Sequence, residues 1–234
     1  MPLQTTFYAD NSGFVTSPQD STHASARDAA TGNSAADNVN LSTAGISYQR
    51  ATKGSTSYIV RRSFFYFDTT TISDTVTAAT LSIYGHTNNS GMVIAIKSTA
   101  FGGDGGTALS VGDYDSFPGF TAGGTDSMSG NVTDYSSVYG AWNTSGYNDI
   151  SLNSNAFTDI QNNNAFIVAV IQYTNDYLDV DPGVDVASES GVYYDLYTGT
   201  SRDPKLVVTY GEDPQPLKIT AGLIKLTSGL IKIT

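Results

Sequence analysis

The sequence SYIVRRSFFYFDT (57–69) opens the most regular part of the chain and decides its fold class. Its β-branched and aromatic residues suit the pleated surface of a sheet, so they predict a long strand. AATLSIYGH (78–86) follows a turn sequence, and MVIAIKSTA (92–100) follows the turn Asn-Asn-Ser-Gly. We predict three consecutive antiparallel strands here, the third with Met92, Ile94 and Ile96 on one face.

Further strand patterns lie on both sides of this region. TTFYADNSGFV (5–15) predicts a short strand followed by an Asn-Ser-Gly turn. AFIVAVIQY (165–173) is apolar on both faces, which is typical of a strand that is buried on both sides. GVYYDLYTG (191–199) and PKLVVTYG (204–211) predict the two closing strands. About eight to ten strands separated by turns indicate an all-β fold, and we expect a jelly-roll β-sandwich.

The other segments are less regular. Residues 17–54 predict an extended segment with one or two short strands rather than a helix, because Gly and Asn interrupt every helical window. Residues 101–147 predict long loops with one short strand near Ser127 to Val132. NSNAFTDIQNN (153–163) is compatible with a single helical turn capped by Asn153 or Ser154.

Composition narrows the range of functions. Charged residues make up 14% of the 234 residues and the net charge is −11, so the field of the chain repels nucleic acid and anionic membrane surfaces. Cys is absent, which excludes disulfides, thiolate catalysis and Cys-type zinc sites. MPLQTTFYAD (1–10) lacks the pattern of a secretory signal, and no apolar run approaches the roughly 18 residues of a membrane span. We therefore expect no nucleic-acid partner, no membrane and no signal peptide.

A seven-residue repeat ends the chain: KITAGLI (218–224), KLTSGLI (225–231) and KIT (232–234). Gly and Thr in the repeat oppose a helix, and the aliphatic residues favour short strands bent at Gly. We predict a sandwich over residues 1–211, a stiff linker over 212–216 and a β extension over 217–234.

Such short apolar strands cannot bury themselves alone. They need either copies from other chains, the interpretation that we favour, or their own parent domain. The residues expected to mediate oligomerisation are the aliphatic ones of the repeat: Ile219, Leu223, Ile224, Leu226, Leu230, Ile231 and Ile233.

Two segments, Arg61 to Gly85 and Arg202 to Gly211, carry a family resemblance. They hold Phe67-Asp68, the strand Thr80-Leu81-Ser82-Ile83-Tyr84 and the strand Pro204-Lys205-Leu206-Val207-Val208-Thr209-Tyr210. In these residues the chain resembles the DNRLRE-type jelly-roll domains, which are related to a family of carbohydrate-binding modules. The resemblance implies the fold, because these are framework residues, and such domains occur both on secreted carbohydrate-active proteins and in phage particles. Members often carry several exposed Trp residues, whereas this chain has only Trp142.

A catalytic site is hard to assemble from this sequence. The only histidines, His23 and His86, stand near no nucleophile motif, and we interpret both as solvated or hydrogen-bonded residues. No spacing among the 22 acidic residues is typical of a glycosidase pair. The adjacent Arg61 and Arg62 lie inside an apolar run and are interpreted as strand residues rather than a phosphate site. We expect no enzymatic activity.

Two binding sites are candidates. DYLDVDPGVDV offers the carboxylates of Asp176, Asp179, Asp181 and Asp185, and hard cations such as calcium prefer several oxygen ligands at close range. The competing structural role, capping turns and keeping a surface soluble, is the more common one, and no other cofactor is expected. The second candidate is a loop cluster of Tyr135, Tyr139, Trp142 and Tyr147, which can stack on a glycan, contact a protein partner or pack inward over the sandwich.

These observations lead to three functional hypotheses. The first is a non-enzymatic bacteriophage virion protein, either a capsid decoration protein or a fibre-like surface protein. We expect it on the virion surface, forming homo-oligomers, such as a trimer, with other virion proteins as partners. The second is a carbohydrate-binding adhesin or tail receptor-binding protein that recognises host surface glycans. The third is a subunit of an extracellular filament, in which a strand completes the sheet of a neighbour.

Overall fold

A computed structural model describes residues 2–39, 41–51, 57–123, 127–181, 188–196 and 201–211. These residues form eleven strands joined by loops and a few short helices, so the predicted all-β sandwich class is confirmed. The strands are β1 (Leu3–Tyr8), β2 (Asn11–Thr16), β3 (Ser34–Asp37), β4 (Leu41–Ala51), β5 (Ser57–Asp68), β6 (Val76–Asn89), β7 (Val93–Lys97), β8 (Tyr147–Ser151), β9 (Ala165–Gln172), β10 (Ser188–Leu196) and β11 (Lys205–Tyr210). The α-helices are α1 (His23–Arg27) and α2 (Ser154–Asn162), and shorter helical turns cover Phe101–Gly103, Val111–Asp115 and Tyr173–Tyr177.

The strands form two layers that share β6. Sheet 1 has the order β1-β11-β6-β8, and all its pairs are antiparallel. In sheet 2, β5 pairs with β2 on one side and with β4 and β9 on the other, while β3, β10 and β7 extend the sheet outward. The last part of β6 leaves sheet 1 and pairs with β10. The long strand β6 therefore belongs to both sheets and connects them through its backbone and its hydrogen bonds.

Strand β9 of sheet 2 is buried on both faces. The alternate β9 residues Phe166, Val168 and Val170 lie in a first core cluster with Leu81, Ile150 and Leu206 of sheet 1. The intervening residues Ile167, Ala169 and Ile171 lie in a second cluster with Phe101, Tyr114 and Phe117. The prediction for 165–173 is therefore confirmed, because both faces of β9 are covered.

A loop layer covers the outer face of sheet 2. It consists of α1, the described residues of 98–132 and residues 173–178, and its apolar side chains fill the second core cluster. The predicted long loops thus exist, but the short strand expected at 127–132 was wrong: Met128 to Val132 is a turn, in which the N–H groups of Asn131 and Val132 donate to the Met128 carbonyl. Its position against sheet 2 is fixed by side-chain burial rather than by a strand ladder.

Several local predictions differ from the structure. The three strands from residue 57 onward are all present, but they do not pair with one another: β5 pairs with the preceding β4 and with β2 and β9, while β6 and β7 pair with strands later in the chain. Met92 precedes β7 and is 39% exposed, while Ile94 and Ile96 are buried. Within 17–54 the structure has the short helix α1, capped by the Thr22 side chain, which accepts from Ser25 N–H.

The first turn also lies earlier than expected. Asn11 to Gly13 belong to β2, and the chain bends at Asp10, where it passes from sheet 1 to sheet 2. A Cβ atom on Gly13 would overlap the carbonyl oxygen of Ala36 in β3, so glycine is required here by the close approach of a neighbouring strand. The helical turn predicted near Asn153 is confirmed and extends into α2, with the Asn153 side chain accepting from the N–H groups of Asn155 and Ala156.

Candidate functional site

The four loop aromatics that were candidates for glycan or partner contact pack largely inward. Tyr135 and Trp142 are 1% and 7% exposed, and both belong to the first core cluster, against which Tyr139 also packs. The Trp142 indole donates from Nε1 to the Tyr193 carbonyl at 3.2 Å. The Tyr147 hydroxyl donates to the carbonyls of Ser201 and Asp203, at 2.9 and 3.1 Å. The structure therefore offers only the edges of Tyr139 and Tyr147 for contact with a partner.

A buried ion network lies between sheet 2 and the loop layer. Arg62 of β5 is fully buried and donates through Nε and Nη2 to the two oxygens of Asp176, at 2.9 and 2.6 Å. Its remaining donors reach the carbonyls of Tyr114 and Arg27, both at 2.9 Å. The guanidinium also lies 4.1 Å from the centre of the Tyr114 ring. Arg62 thus joins the strand, the loop layer and α1 at one point.

Arg27 extends this network toward the protein surface. It is also fully buried, donating from Nη1 to Asp28 at 2.5 Å and from Nε to the Asp176 carbonyl at 2.6 Å, and its Nε lies 3.5 Å from Asp179. Burial alone would lower the pKa of Arg62, but Asp176, Tyr114 and Asp28 together outweigh burial and raise that pKa. Burial raises the pKa of Asp28, while Arg27 acts in the opposite direction. The network holds the charge of Arg62 in a fully buried position.

The four candidate calcium ligands do not converge in the described part of the chain. Both carboxylate oxygens of Asp176 accept hydrogen bonds from Arg62, and Asp179 faces Arg27 and His23. Asp181 is exposed. Asp185 lies outside the described residues. Within the described ranges no group of three or more His, Cys, Asp or Glu side chains has the arrangement of a metal site. Calcium binding stays a prediction.

A cleft of about 410 Å³ lies where β7, β9 and the end of α2 meet. Lys97 donates to Asp159 at 2.8 Å, Asn163 donates to the other oxygen of Asp159 at 2.9 Å, and the Tyr135 hydroxyl donates to Asp159 as well. Burial and then this hydrogen bond raise the pKa of Tyr135. Because Asp159 is shared by three donors, its oxygens are occupied by the protein itself.

A wider groove of about 520 Å³ crosses five strands of sheet 2, and we call it the five-strand groove. It is lined by Phe14, Thr16, Ser34, Thr43, Gly45, Gln49, Arg61 and Tyr193. Gly45 of β4 is the cross-strand partner of Tyr193 in β10, and the Tyr193 ring lies over it. A Cβ atom added to Gly45 would be 3.0 Å from Tyr193 Cε1. Gly45 therefore makes room for an aromatic ring on the sheet surface.

The polar groups of the five-strand groove are linked to one another. Gln49 donates to Glu189 at 2.7 Å and to the Tyr193 hydroxyl at 3.2 Å, and that hydroxyl donates to Glu189. Burial and then the bond to Glu189 raise the pKa of Tyr193. A half-buried ring beside a guanidinium and an amide is a surface that suits a sugar ring or a protein partner.

Sequence reasoning missed the five-strand groove because its residues come from strands that are far apart along the chain. The alternation in GVYYDLY carried a signal, since it places Tyr193 opposite the buried Val192 and Tyr194. The seven repeat residues proposed for oligomerisation, Ile219 to Ile233, lie outside the described residues.

Models of known protein families and the curated proteins gave no match to this sequence. No described helix has the length and apolar character needed to span a membrane. The fold class and the geometry of the sites are therefore the basis for any statement about function.

Proposed function

We propose that this chain is a non-enzymatic structural protein of a bacteriophage particle, a capsid decoration or fibre-like protein that acts by assembly and surface contact. The observation that carries the proposal is the position of the C-terminal repeat. The last described strand, β11, is already flanked by β1 and β6, and in the sequence the repeat begins at Lys218, after seven intervening residues. An apolar β-type repeat placed after a sandwich of eleven strands is suited to joining copies.

The composition and the family resemblance support the same proposal. The acidic, cysteine-free chain resembles a domain type that occurs in phage particles, and its sandwich is reinforced by a second core under the loop layer.

The oligomeric mass tests the assembly part of the proposal. Light scattering of the full chain should give a multiple of 24.7 kDa, and deletion of residues 217–234 should give the mass of one chain with an unchanged circular dichroism spectrum. A full chain that is monomeric at tens of micromolar would contradict the proposal. For the setting, peptides of this chain should be found in purified virus particles from its source, and their absence from such particles would count against a virion protein.

Recognition of a host glycan is a second candidate, and the five-strand groove favours it. Tyr193→Ala should then abolish binding on a glycan array, while Tyr8→Ala, which removes an exposed tyrosine elsewhere, should leave it unchanged. Trp142→Ala is a poor test, because Trp142 is part of the core and its loss destabilises the fold. An array on which the unmodified chain binds no polysaccharide would contradict this candidate.

A further inference from the structure

We propose that the open edge of β1 receives the C-terminal repeat of a neighbouring copy, which adds a strand to sheet 1. The inference rests on the proposed assembly function and names the surface and the partner segment. Among the described strands β1 pairs only with β11 and stands at the end of the sheet. Its other edge is therefore available to a strand from outside.

The register of β1 identifies the groups that face this edge. Ala9 N–H donates to the Pro204 carbonyl at 2.9 Å, next to the Tyr8 and Lys205 pair. Because backbone groups of an antiparallel strand alternate between its two sides, the odd-numbered residues of β1 direct theirs toward β11. Gln4, Thr6 and Tyr8 consequently direct their N–H and C=O groups to the open edge.

This edge lacks the features that usually prevent strand addition. Within β1 there is no charged residue and no proline, and Leu3 and Tyr8 are 56% and 57% exposed. Natural edge strands are commonly protected by Lys, Pro, bulges or a covering element. Such an edge is open to pairing with a strand from another chain.

The described chain ends next to this edge, and the repeat that follows in the sequence has a complementary charge. Leu3 pairs with Tyr210, so the chain leaves the sandwich at Gly211 beside the first residue of β1. Residues 217–234 contain three of the 11 basic residues and none of the 22 acidic ones. The repeat is therefore cationic, while the rest of the chain is strongly acidic, and this difference favours docking on another copy.

Strand direction favours a neighbouring copy over the same chain. β1 and β11 are antiparallel, so a first repeat unit that turned back after Gly211 onto its own β1 would run parallel to β1. Antiparallel addition within the chain would require residues 212–217 to extend along the whole of β1 before the repeat begins. A segment from another copy has no such restriction and can form the slightly more stable antiparallel pair.

Single-cysteine variants test the contact directly, because the chain has no cysteine of its own. One preparation carries Thr6→Cys, and a second carries either Thr220→Cys or Thr227→Cys, the equivalent positions of the two full repeat units. After mixing and mild oxidation, mass spectrometry should find a disulfide between residue 6 of one chain and residue 220 or 227 of another. Such a bond requires Cβ atoms about 3.5–4.5 Å apart.

A backbone variant gives an independent test. Thr6→Pro removes an N–H that faces the open edge and leaves the bonds to β11 in place, so the oligomer should dissociate to single chains while the circular dichroism spectrum is retained. The matched control Thr6→Val keeps the N–H and should keep the oligomer. If Thr6→Pro prevents folding, the cysteine test still decides.

The outcomes separate this inference from the proposed function. An oligomer that requires residues 217–234 but gives no inter-chain disulfide to residue 6 would overturn the edge contact alone. A chain that carries both Thr6→Cys and Thr220→Cys provides the intrachain comparison. If the disulfide forms only within this chain and never between two singly substituted chains, the choice of a neighbouring copy is overturned. A monomeric full chain would remove the proposed function itself.

Discussion

Replacing Asp176 with asparagine should strongly destabilise the fold. The substitution keeps the shape of the side chain but removes the charge that faces the fully buried Arg62. An amide cannot accept two charged hydrogen bonds in the geometry of the carboxylate, and it presents an N–H₂ group to one of the guanidinium donors. A buried cation is then left without its main counter-ion.

The magnitude follows from the two contacts that are lost. A hydrogen bond to a charged group contributes about 1.5–3 kcal/mol, and breaking a buried ion pair from one side costs about 3–5 kcal/mol. We therefore expect the free energy of unfolding to fall by about 3–5 kcal/mol. For a domain of this size this corresponds to a decrease in Tm of roughly 6–20 °C.

Fluorescence of Trp142, the only tryptophan, reports unfolding from within the first core cluster. Urea titrations of the unmodified chain, Asp176→Asn and the surface control Asp74→Asn should give a large loss for the first variant and less than about 0.5 kcal/mol for the second. A loss below about 1 kcal/mol for Asp176→Asn would refute the conclusion that this ion pair holds the loop layer on sheet 2.

Three further outcomes are expected. Burial holds the pKa of Tyr194 above its usual range and, with a hydrogen bond to Asp134, raises that of Tyr177 to about 12. The folded state keeps these protons while the unfolded chain loses them near pH 10, so the stability that they contribute is fully present below pH 10 and falls as the pH rises toward 12. Absorbance at 295 nm should show delayed ionisation of these tyrosines that coincides with unfolding. Tyrosine ionisation that is complete by pH 11 in a folded chain would contradict this prediction. Gly13→Ala should lower the free energy of unfolding by about 1–3 kcal/mol through overlap with β3, whereas Gly112→Ala, at an open position, should change it by less than about 0.5 kcal/mol in the same urea titration. Asn153→Ala removes the cap of α2 and should cost about 0.5–2 kcal/mol, measured by thermal denaturation; an unchanged Tm would contradict the role of the cap.

Much of the sheet could be predicted from local patterns. The β-branched and aromatic runs at 57–69, 165–173 and 204–211 became β5, β9 and β11, because strand formation depends on residue type and on the alternation of buried side chains. Pairing could not be predicted in the same way. β5 pairs locally with β4, but its other partners are β2 and β9, and nothing local in the sequence identifies strands that are about 50 and 100 residues away.

The sites were harder to predict than the strands. Arg62 was interpreted as an ordinary strand residue, and its alternation with Val60 and Phe64 did place it on a buried face. Its partner Asp176 lies 114 positions later in the chain, in a segment whose carboxylates suggested a cation site. The positive charges that face Asp176 and Asp179 come from Arg62 of β5 and Arg27 of α1. Only folding brings these groups together.

The placement of β11 between two other strands has a mechanical consequence. If copies are joined through the chain that leaves at Gly211, a pull on that junction along the axis of β11 loads the hydrogen bonds to β1 and β6 together. Bonds stressed side by side must break at once, whereas the bonds of a peeled strand break one after another. The sandwich would thus resist extension along the axis of β11 more strongly than peeling of that strand from the sheet.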